Sequence, residues 1–293
     1  MDLNDKRYII GIDLGTTNSA VSYVDLGAEE RNSARMRIFQ IPQLTGAGEF
    51  SRLPVLPSFI YIPGAYDISA SSITIPWRTQ DNNFAGSFAR DHGATVPARL
   101  VSSAKSWLCH DKADRHARIL PWGAGDEVAK ISPVAATAYF LRHIRNAWNH
   151  DMGEDVEGYL ENQVVTITVP ASFDEVARDM TLEAAAMAGF GPVTLLEEPL
   201  AAFYSWLIRH ESSWSEHVRP GELILVCDVG GGTTDFTLIT LREVEGSPRF
   251  ERIAVGDHLI LGGDNIDLAL ARHAEAGLFR RKARSALTGD RWK

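Results

Sequence analysis

An imperfect internal repeat constrains this chain more than any other feature of its sequence. The segment IGIDLGTTNS at 10–19 returns in altered form as VCDVGGGTTD at 226–235. In each copy an apolar run ends in aspartate, a turn of glycine and threonine follows, and a second strand-like run begins. Glycine allows positive φ and lets backbone N–H groups converge on an anion without a Cβ in the way. The repeat therefore predicts two strand–turn–strand units that each cradle a phosphate group.

The aspartates of the repeat, Asp13 and Asp228, would lie beside those phosphates. Magnesium prefers a few carboxylates and several retained waters, so these side chains are suited to hold it through its water shell. The copies lie about 215 residues apart, which suits two similar domains with a nucleotide cleft between them. One copy alone would more often be a plain hairpin turn, but two copies with aspartate before the glycine and threonine after it favour phosphate binding.

Several other classes of protein are excluded. The sequence has no Gly-x4-Gly-Lys-[Ser/Thr] motif and no Gly-x-Gly-x-x-Gly after a strand, which excludes P-loop and Rossmann assignments at the motif level. The 38 acidic and 29 basic residues give a net charge of -9, which argues against nucleic acid or an anionic membrane as the main partner.

The cellular compartment is predicted from the cysteines and from the N-terminus. Cys109 and Cys227 cannot form a disulfide framework, so we expect a reducing compartment. Cys227, at the end of an apolar run, is expected to be a small buried apolar side chain. The polar start of the chain does not resemble a secretory signal, and no apolar run approaches the roughly 20 residues that cross a bilayer. The sequence therefore predicts a cytoplasmic protein.

Runs rich in Ile and Val alternate with segments of helical period, which predicts an α/β fold with a mainly parallel or mixed sheet. The candidate strands are Tyr8–Asp13, Ser19–Val24, Met36–Gln40, Val164–Val169, Leu223–Cys227 and Asp235–Leu241. Ser132, followed by Pro133, predicts the start of a long helix. A second helix is expected from about Asp174 to Met187, with Gly189 as its stop. Its core side chains would be Val176, Ala177, Met180, Ala184 and Met187.

Further motifs resemble the ATPase domain of the seventy-kilodalton heat-shock chaperones (DnaK-like proteins), within the actin-like ATPase superfamily. The two repeat copies are similar to the family's two phosphate loops. Three more segments match in the same order: TVPASFDEVAR at 168–178, EEPLAA at 197–202 and LGGDNID at 261–267. The resemblance implies an actin-like (ribonuclease H-like) fold, with two lobes around a nucleotide cleft.

The resemblance also implies the site residues. ATP or ADP would contact the first loop (Gly15, Thr16, Thr17 and Asn18), the second loop (Gly230, Gly231, Gly232 and Thr233) and a third segment (Gly262, Gly263 and Asp264). Lys105 matches the family's essential lysine and would place the attacking water and offset charge on the γ-phosphate. Glu198 would orient water or magnesium, while Asp13, Asp228 and Asp235 would supply negative charge for Mg²⁺ and K⁺. Without the resemblance, Lys105 would be taken for a solvated surface charge.

Two further residues, Pro170 and Arg178, resemble the pair that relays nucleotide state to the surface in this family. Glu197 is next to Glu198 in the sequence and is the less favoured of the two glutamates for orienting water or magnesium. The resemblance implies co-chaperones, nucleotide-exchange factors and unfolded polypeptide as partners, reached through regions that this sequence does not contain.

The predicted organisation has three parts. The first ATPase lobe would comprise residues 1–41 and 126–210, an inserted subdomain would span 42–125, and a partial second lobe would span 211–293. The family's basic adenine-binding helix and adenosine loop find no match here, so the second lobe is expected to be incomplete.

Two alternatives to a chaperone ATPase stay open. A small-molecule kinase of the same superfamily would transfer phosphate to a hydroxyl acceptor. A nucleotide-sensing or filament-forming actin-like module would bind nucleotide without catalysis and polymerise with ATP.

Overall fold

A computed structural model describes residues 6–27, 36–64, 67–68, 75–77, 83–110, 113–244, 247–256, 259 and 261–279. The chain divides into two compact units, Met1–His217 and Val218–Lys293. The strands of the first unit are β1 (Tyr8–Leu14), β2 (Asn18–Asp25), β3 (Arg37–Ile38), β4 (Ile41–Gly46), β5 (Glu49–Leu53), β6 (Leu56–Pro57), β7 (Ile60–Tyr61), β8 (Phe84–Ala85), β9 (Leu100–Val101), β10 (Val164–Val169) and β11 (Val193–Glu197).

The helices of the first unit are α1 (Ser87–Gly93), α2 (Ala104–Leu108), α3 (Pro133–Asp151), α4 (Glu175–Met187), α5 (Glu198–Arg209) and α6 (Trp214–His217). Short 3-10 turns occur at Pro97–Arg99, Val156–Gly158 and Leu160–Asn162. The second unit contains β12 (Leu223–Val229), β13 (Thr234–Val244), β14 (Ser247–Val255) and α7 (Gly263–Phe279). The predicted α/β class is confirmed, and each predicted strand overlaps an observed one.

The central sheet of the first unit has the strand order β11-β10-β1-β2-β3, with β6 also paired to β2. The pairs of β10 with β1 and with β11 are parallel, whereas β1 and β2 are antiparallel. Alternate residues of the strands are buried, among them Ile10, Ile12 and Ile167, each 0 % exposed. This alternation places one face of the sheet against α3 and α4, where the core of the unit lies.

Helix α3 begins as its sequence predicts. The Ser132 hydroxyl accepts the Ala135 N–H at 3.1 Å, and Pro133 occupies the first turn, where its missing N–H costs nothing. Near the other end, Trp148 is fully buried and donates its indole N–H to the Gly158 carbonyl at 3.1 Å. Its ring contacts those of Tyr8, Tyr23 and Phe39 at centroid distances of 5.1–5.2 Å, so the helix is anchored on the sheet.

Helix α4 is confirmed in position, and its predicted core face is confirmed in part. Asp174 caps it by accepting the Ala177 N–H at 2.7 Å, and this bond, aided by Arg115, lowers the pKa of the Asp174 carboxyl. Gly189 follows the helix with a φ of 84°, the left-handed conformation that glycine tolerates. Val176 and Met187 are about half exposed, so the prediction that they are core residues is wrong. The buried stripe follows small side chains at Ala177, Thr181, Ala184 and Ala185, because α4 packs closely on α3. The prediction is thus confirmed for Ala177 and Ala184.

The region between 42 and 125 contains a β4–β5 hairpin, a small sheet in the order β8-β7-β9, and helices α1 and α2. The Gln43 side chain, 0 % exposed, joins these parts. Its carbonyl oxygen accepts the Ser87 N–H at 3.0 Å, and its amide donates to the Val55 carbonyl at 2.8 Å. The described parts of this region therefore pack around a satisfied buried amide.

The second unit is an antiparallel sheet in the order β12-β13-β14 followed by α7. Ile239 and Leu241 of β13 are fully buried. Cys227 is exposed, so the prediction that it is buried is wrong. The period of two along β12 places Cys227 on the same face as Leu225 and Val229, and both of these are also exposed. Among all the described helices, none is long and apolar enough to cross a membrane.

His143 in α3 gives the first unit a predicted pH dependence. Its side chain is buried, its Nε2 lies 3.0 Å from the Pro42 carbonyl oxygen, and burial lowers the pKa of the imidazole to about 4. An unfolded histidine titrates near 6.5, so the unfolded chain binds the extra proton and stability falls as pH drops from about 6.5 towards 4. We expect a loss of about 2 kcal/mol in the free energy of unfolding between pH 7 and 5 from this residue.

Urea denaturation at the two pH values measures this loss. His143→Gln should remove most of that pH dependence, since an amide can still donate to Pro42 but does not titrate. His150→Gln, which changes an exposed histidine of the same helix, should leave it in place. An equal pH dependence in wild type and His143→Gln would show that His143 is not its source.

Candidate functional site

The carboxyl ends of the parallel strands β1, β10 and β11 gather the predicted residues of the first unit at one edge of the sheet. Asp13 pairs in register with Thr168, and Thr168 pairs with Leu196. Glu197 and Glu198 follow directly after Leu196. In open α/β sheets, ligands bind outside the carboxyl ends of such strands. This edge is therefore the candidate site of the first unit.

Asp13 is exposed at this edge and held in place by a neighbour. The Thr168 hydroxyl donates to Asp13 Oδ1 at 2.9 Å. The sequence analysis missed Thr168 as a site residue, because its role depends on the pairing of β1 with β10, which lie 155 residues apart along the chain. The available signal was its position near the end of a strand, pointing to the opposite face from the buried Ile167.

The first predicted phosphate turn joins β1 to β2 and requires glycine. A Cβ at Gly15 would lie 2.2 Å from the Asn18 carbonyl oxygen, well inside contact distance, so any side chain would open the turn. Ser58 holds it from the side: its hydroxyl donates to the Gly15 carbonyl at 2.8 Å and its N–H donates to the Thr17 carbonyl at 2.9 Å. Thr16 lies within this braced turn, and the sequence analysis did not anticipate Ser58.

Lys105 and Glu198 form an ion pair across the first unit. Lys105 belongs to α2, and Glu198 begins α5 immediately after β11. Their side chains are only 11 % and 15 % exposed, so Lys105 is not a solvated surface charge. The Lys105 Nζ donates to Glu198 Oε1. The structure thus brings together the two residues to which the resemblance assigns catalytic roles, although they are 93 positions apart.

The adjacent acid, Glu197, contacts a different cation. Arg178 of α4 donates from Nη2 to Glu197 Oε1 at 2.9 Å and from Nε to the Phe173 carbonyl at 3.1 Å. Consecutive glutamates therefore connect the same sheet edge to two helices: Glu197 to α4 and Glu198 to α2. Pro170 follows β10, and its carbonyl accepts the Phe173 N–H at 3.2 Å, so Phe173 lies between Pro170 and Arg178 in this set of hydrogen bonds.

In the second unit, the predicted turn lies between β12 and β13. Gly230 N–H donates to the Thr233 carbonyl at 2.8 Å and closes the turn. Asp228 and Asp235 are cross-strand partners at its base, with Asp235 4 % exposed and Asp228 partly buried. Directly opposed residues of an antiparallel pair project from the same face of the sheet. The two carboxylates thus share a face beneath the turn.

The start of α7 braces this second turn. The N–H groups of Gly263 and Asp264 donate to the carbonyls of Gly230 and Gly231 at 3.0 and 2.7 Å. A Cβ at Gly262 would lie 2.6 Å from the Gly231 oxygen and 2.7 Å from the Gly230 oxygen. The third predicted segment therefore does contact the second loop, which includes Gly232, and the contact visible here fixes the conformation of that loop.

Comparison with known proteins identifies the family. The family model described as Hsp70 protein matches residues 75–291. This chain belongs to the Hsp70 family. The resemblance drawn from the motifs is confirmed, and the family supports an ATPase domain of a heat-shock-type chaperone with an actin-like fold.

Curated relatives of the Hsp70 chain are proteins named chaperone protein HscA homolog. Those of Burkholderia lata, Burkholderia cenocepacia and Burkholderia mallei are 30%, 29% and 28% identical to it over 287, 287 and 291 residues. Each match covers 94% of this chain and 38% of the relative. The chain thus spans about two fifths of the length of these relatives.

Hsp70 proteins bind ATP with magnesium, and the carboxylates of this chain suit that cation. Within the described part of the chain, no three His, Cys, Asp or Glu side chains come close enough together to hold a metal ion unaided. Magnesium needs only one or two carboxylates when phosphate oxygens and waters complete its shell. Asp13 at the sheet edge and the Asp228–Asp235 pair fit such a role.

The bracing of the second turn predicts a specific effect of Gly262→Ala. The added methyl group would overlap two backbone oxygens that cannot move without opening the turn, so the bonds from Gly263 and Asp264 should break or lengthen. Amide hydrogen exchange at these two positions should accelerate by about tenfold or more, equivalent to a loss of at least ~1.4 kcal/mol in local stability.

Gly277→Ala provides the matched control in the same helix, because nothing lies within 4 Å of a Cβ at that position. Alanine favours helix by about 1 kcal/mol over glycine, so this variant should slow exchange or leave it unchanged. Equal exchange in Gly262→Ala and wild type would contradict the bracing role of this segment.

Proposed function

We propose that this Hsp70-family chain binds ATP with magnesium and hydrolyses it, each unit contributing one phosphate-binding turn. The observation that carries the proposal is the shielded Lys105–Glu198 ion pair beside the carboxyl edge of β1, β10 and β11. Glu198 follows β11 and holds Lys105 at this edge, and Asp13 lies at the same edge on β1. Lys105 would supply the positive charge that a γ-phosphoryl group needs. The matching turn in the second unit supports a second set of phosphate contacts.

Lys105 and Glu198 are assigned complementary roles. Phosphoryl transfer depends on positioning and on charge stabilisation, with little covalent participation by the protein. The Lys105 ammonium would offset charge on the transferring phosphoryl group and place the attacking water. Glu198 holds Lys105 in position before nucleotide binds and would orient water afterwards. A preorganised ion pair needs little rearrangement during the reaction, which is why such charges are effective.

The three aspartates are assigned to the cations. When bound, magnesium neutralises charge on the β- and γ-phosphate oxygens. The Thr168 hydroxyl fixes the Asp13 carboxylate so that it can accept hydrogen bonds from magnesium-bound waters. Asp228 and Asp235 would add a pair of carboxylates and a place for K⁺.

The chaperone activity of the whole protein is also a proposal. The curated relatives are named chaperones, and this chain corresponds to about two fifths of their length. Nucleotide state would control grip on unfolded polypeptide, with co-chaperones and exchange factors acting on the ATPase domain. The Arg178–Glu197 bond supports a path for that signal, because it links the edge that carries Glu198 to α4. Arg178 also donates to the Phe173 carbonyl, and the Phe173 N–H donates to the Pro170 carbonyl, which continues the path to the end of β10.

Lys105→Ala tests the catalytic assignment. Removal of one preorganised electrostatic group typically costs about 10²- to 10³-fold in turnover, so we expect kcat for ATP hydrolysis to fall by at least about 100-fold. ADP affinity, measured by isothermal titration calorimetry, should change by less than about threefold, since ADP lacks the phosphoryl group that Lys105 serves.

Lys130→Ala, which removes a lysine elsewhere in the same unit, should hydrolyse ATP like the wild type.

Because Lys105→Ala leaves the Glu198 charge partly buried, the double variant Lys105→Met, Glu198→Gln keeps the test valid if the single variant is unstable. Wild-type turnover in a folded Lys105 variant rejects the assignment. Phosphate transfer to a hydroxyl acceptor, detected by ³¹P NMR, would instead indicate a kinase.

Thr168→Val tests the positioning of Asp13. A hydrogen bond to a charged group contributes about 1.5–3 kcal/mol, so its loss should raise the magnesium concentration for half-maximal hydrolysis by about tenfold. Thr166→Val is the matched control, since Thr166 lies two residues earlier on the same face of β10. If both variants show wild-type magnesium dependence, Asp13 does not depend on Thr168.

A further inference from the structure

A pocket of about 660 Å³ lies at the opposite end of the first unit from the candidate nucleotide site. It is lined by residues of the C-terminal half of α3, the end of α4 and the segment before β10. Helix α4 follows the carboxyl end of β10 and returns to the start of β11, so its C-terminus lies at the amino edge of the sheet. The volume of the pocket is within the range of small-molecule sites.

Arg145 of α3 is the central polar group of this pocket. Its Nε and Nη2 both donate to Asn146 Oδ1, at 3.3 and 2.9 Å, which fixes the plane of the guanidinium. Gly189 makes room for it: a Cβ at that position would lie 1.8 Å from Arg145 Nη1. Arg145 forms no ion pair with any residue that the structure describes. A fixed guanidinium without a carboxylate partner is suited to bind a planar anion.

The charge of the lining also favours an anion. A second guanidinium, that of Arg142, contributes to the wall and lies 5.8 Å from the centroid of the Tyr139 ring. Glu161 is the single carboxylate among the lining residues, and it already accepts a hydrogen bond from Asn149 Nδ2 at 2.8 Å. The lining thus carries two guanidinium groups and one carboxylate, and that carboxylate is already hydrogen-bonded.

The remaining wall is apolar and aromatic. Trp77, Tyr159 and Met187 line it, and the exposure of Met187, unexplained by helix packing, places an apolar surface at the pocket. The Trp77 indole N–H is buried and has no hydrogen-bond acceptor within the described residues.

We propose that this pocket binds a small aromatic carboxylate, with the carboxylate on Arg145 and the ring against Trp77, Tyr159 and Met187. The ligand would bind at a site separate from the sheet edge that carries Lys105 and Glu198. A carboxylate matches the Arg145 guanidinium, because it is planar and accepts hydrogen bonds without donating them. The ring matches the apolar wall.

Benzoate, titrated into the full chain, tests the proposal. Two-dimensional ¹H–¹⁵N NMR follows the indole signal of Trp77, which is assigned by its absence from Trp77→Phe. A saturable shift of this signal is expected with benzoate, a much weaker response with acetate, which lacks the ring, and none with benzamide, which lacks the charge. Arg145→Gln should weaken benzoate binding by about tenfold or more.

Arg90→Gln is the control, because Arg90 is an exposed arginine of α1 paired with Asp91. It should bind benzoate as the wild type does. If Arg145→Gln is not folded, Arg145→Lys retains the charge without the planar fork and should still weaken binding. No saturable shift with benzoate, equal binding of benzamide, or wild-type affinity in the folded Arg145 variant would overturn the proposal. ATP hydrolysis is not the readout, so failure here would leave the proposed ATPase function standing.

Discussion

The parallel pairing of β10 with β1 and β11 is the constraint on which the first unit depends. Because the three strands end at one edge, residues more than 150 positions apart come into register, as Asp13 and Thr168 do. Glu197, the last residue of β11, contacts Arg178, and Glu198, the residue after it, contacts Lys105. The core beneath, built on Ile10, Ile12, Ile167 and Trp148, keeps these strands in register. The catalytic assignment therefore depends on a sheet, not on a single loop.

The two turns of the internal repeat are fixed by different means. Ser58 bonds to the carbonyls of the first turn, whereas the start of α7 bonds to those of the second. Both arrangements engage turn carbonyls and require glycine where another backbone atom approaches, at Gly15 and at Gly262. A turn whose shape is set before a ligand arrives loses little entropy when it binds phosphate. Both turns of the repeat are thus held in shape, although by different contacts.

Local features of the fold were predictable from the sequence, and non-local ones were not. The caps at Ser132 and Asp174 and the stop at Gly189 act within one turn of helix, so the sequence specifies them directly. The exposure of Cys227, Val176 and Met187 depends on which face packs against another element, and hydrophobicity alone gave the wrong answer. The Lys105–Glu198 pair was reached through family motifs, and only the structure joins its members. Thr168 and Ser58 carried no motif, since their roles exist only through strand pairing and loop contact.

We propose that both turns bind the phosphates of one ATP. A crystal structure of the chain with magnesium and a non-hydrolysable ATP analogue tests it most directly. The account predicts backbone N–H groups of Gly15–Thr17 and of Gly230–Thr233 within hydrogen-bond distance of the same triphosphate, with Lys105 near the γ-phosphate. A triphosphate held by one turn alone, or bound away from both, would contradict it.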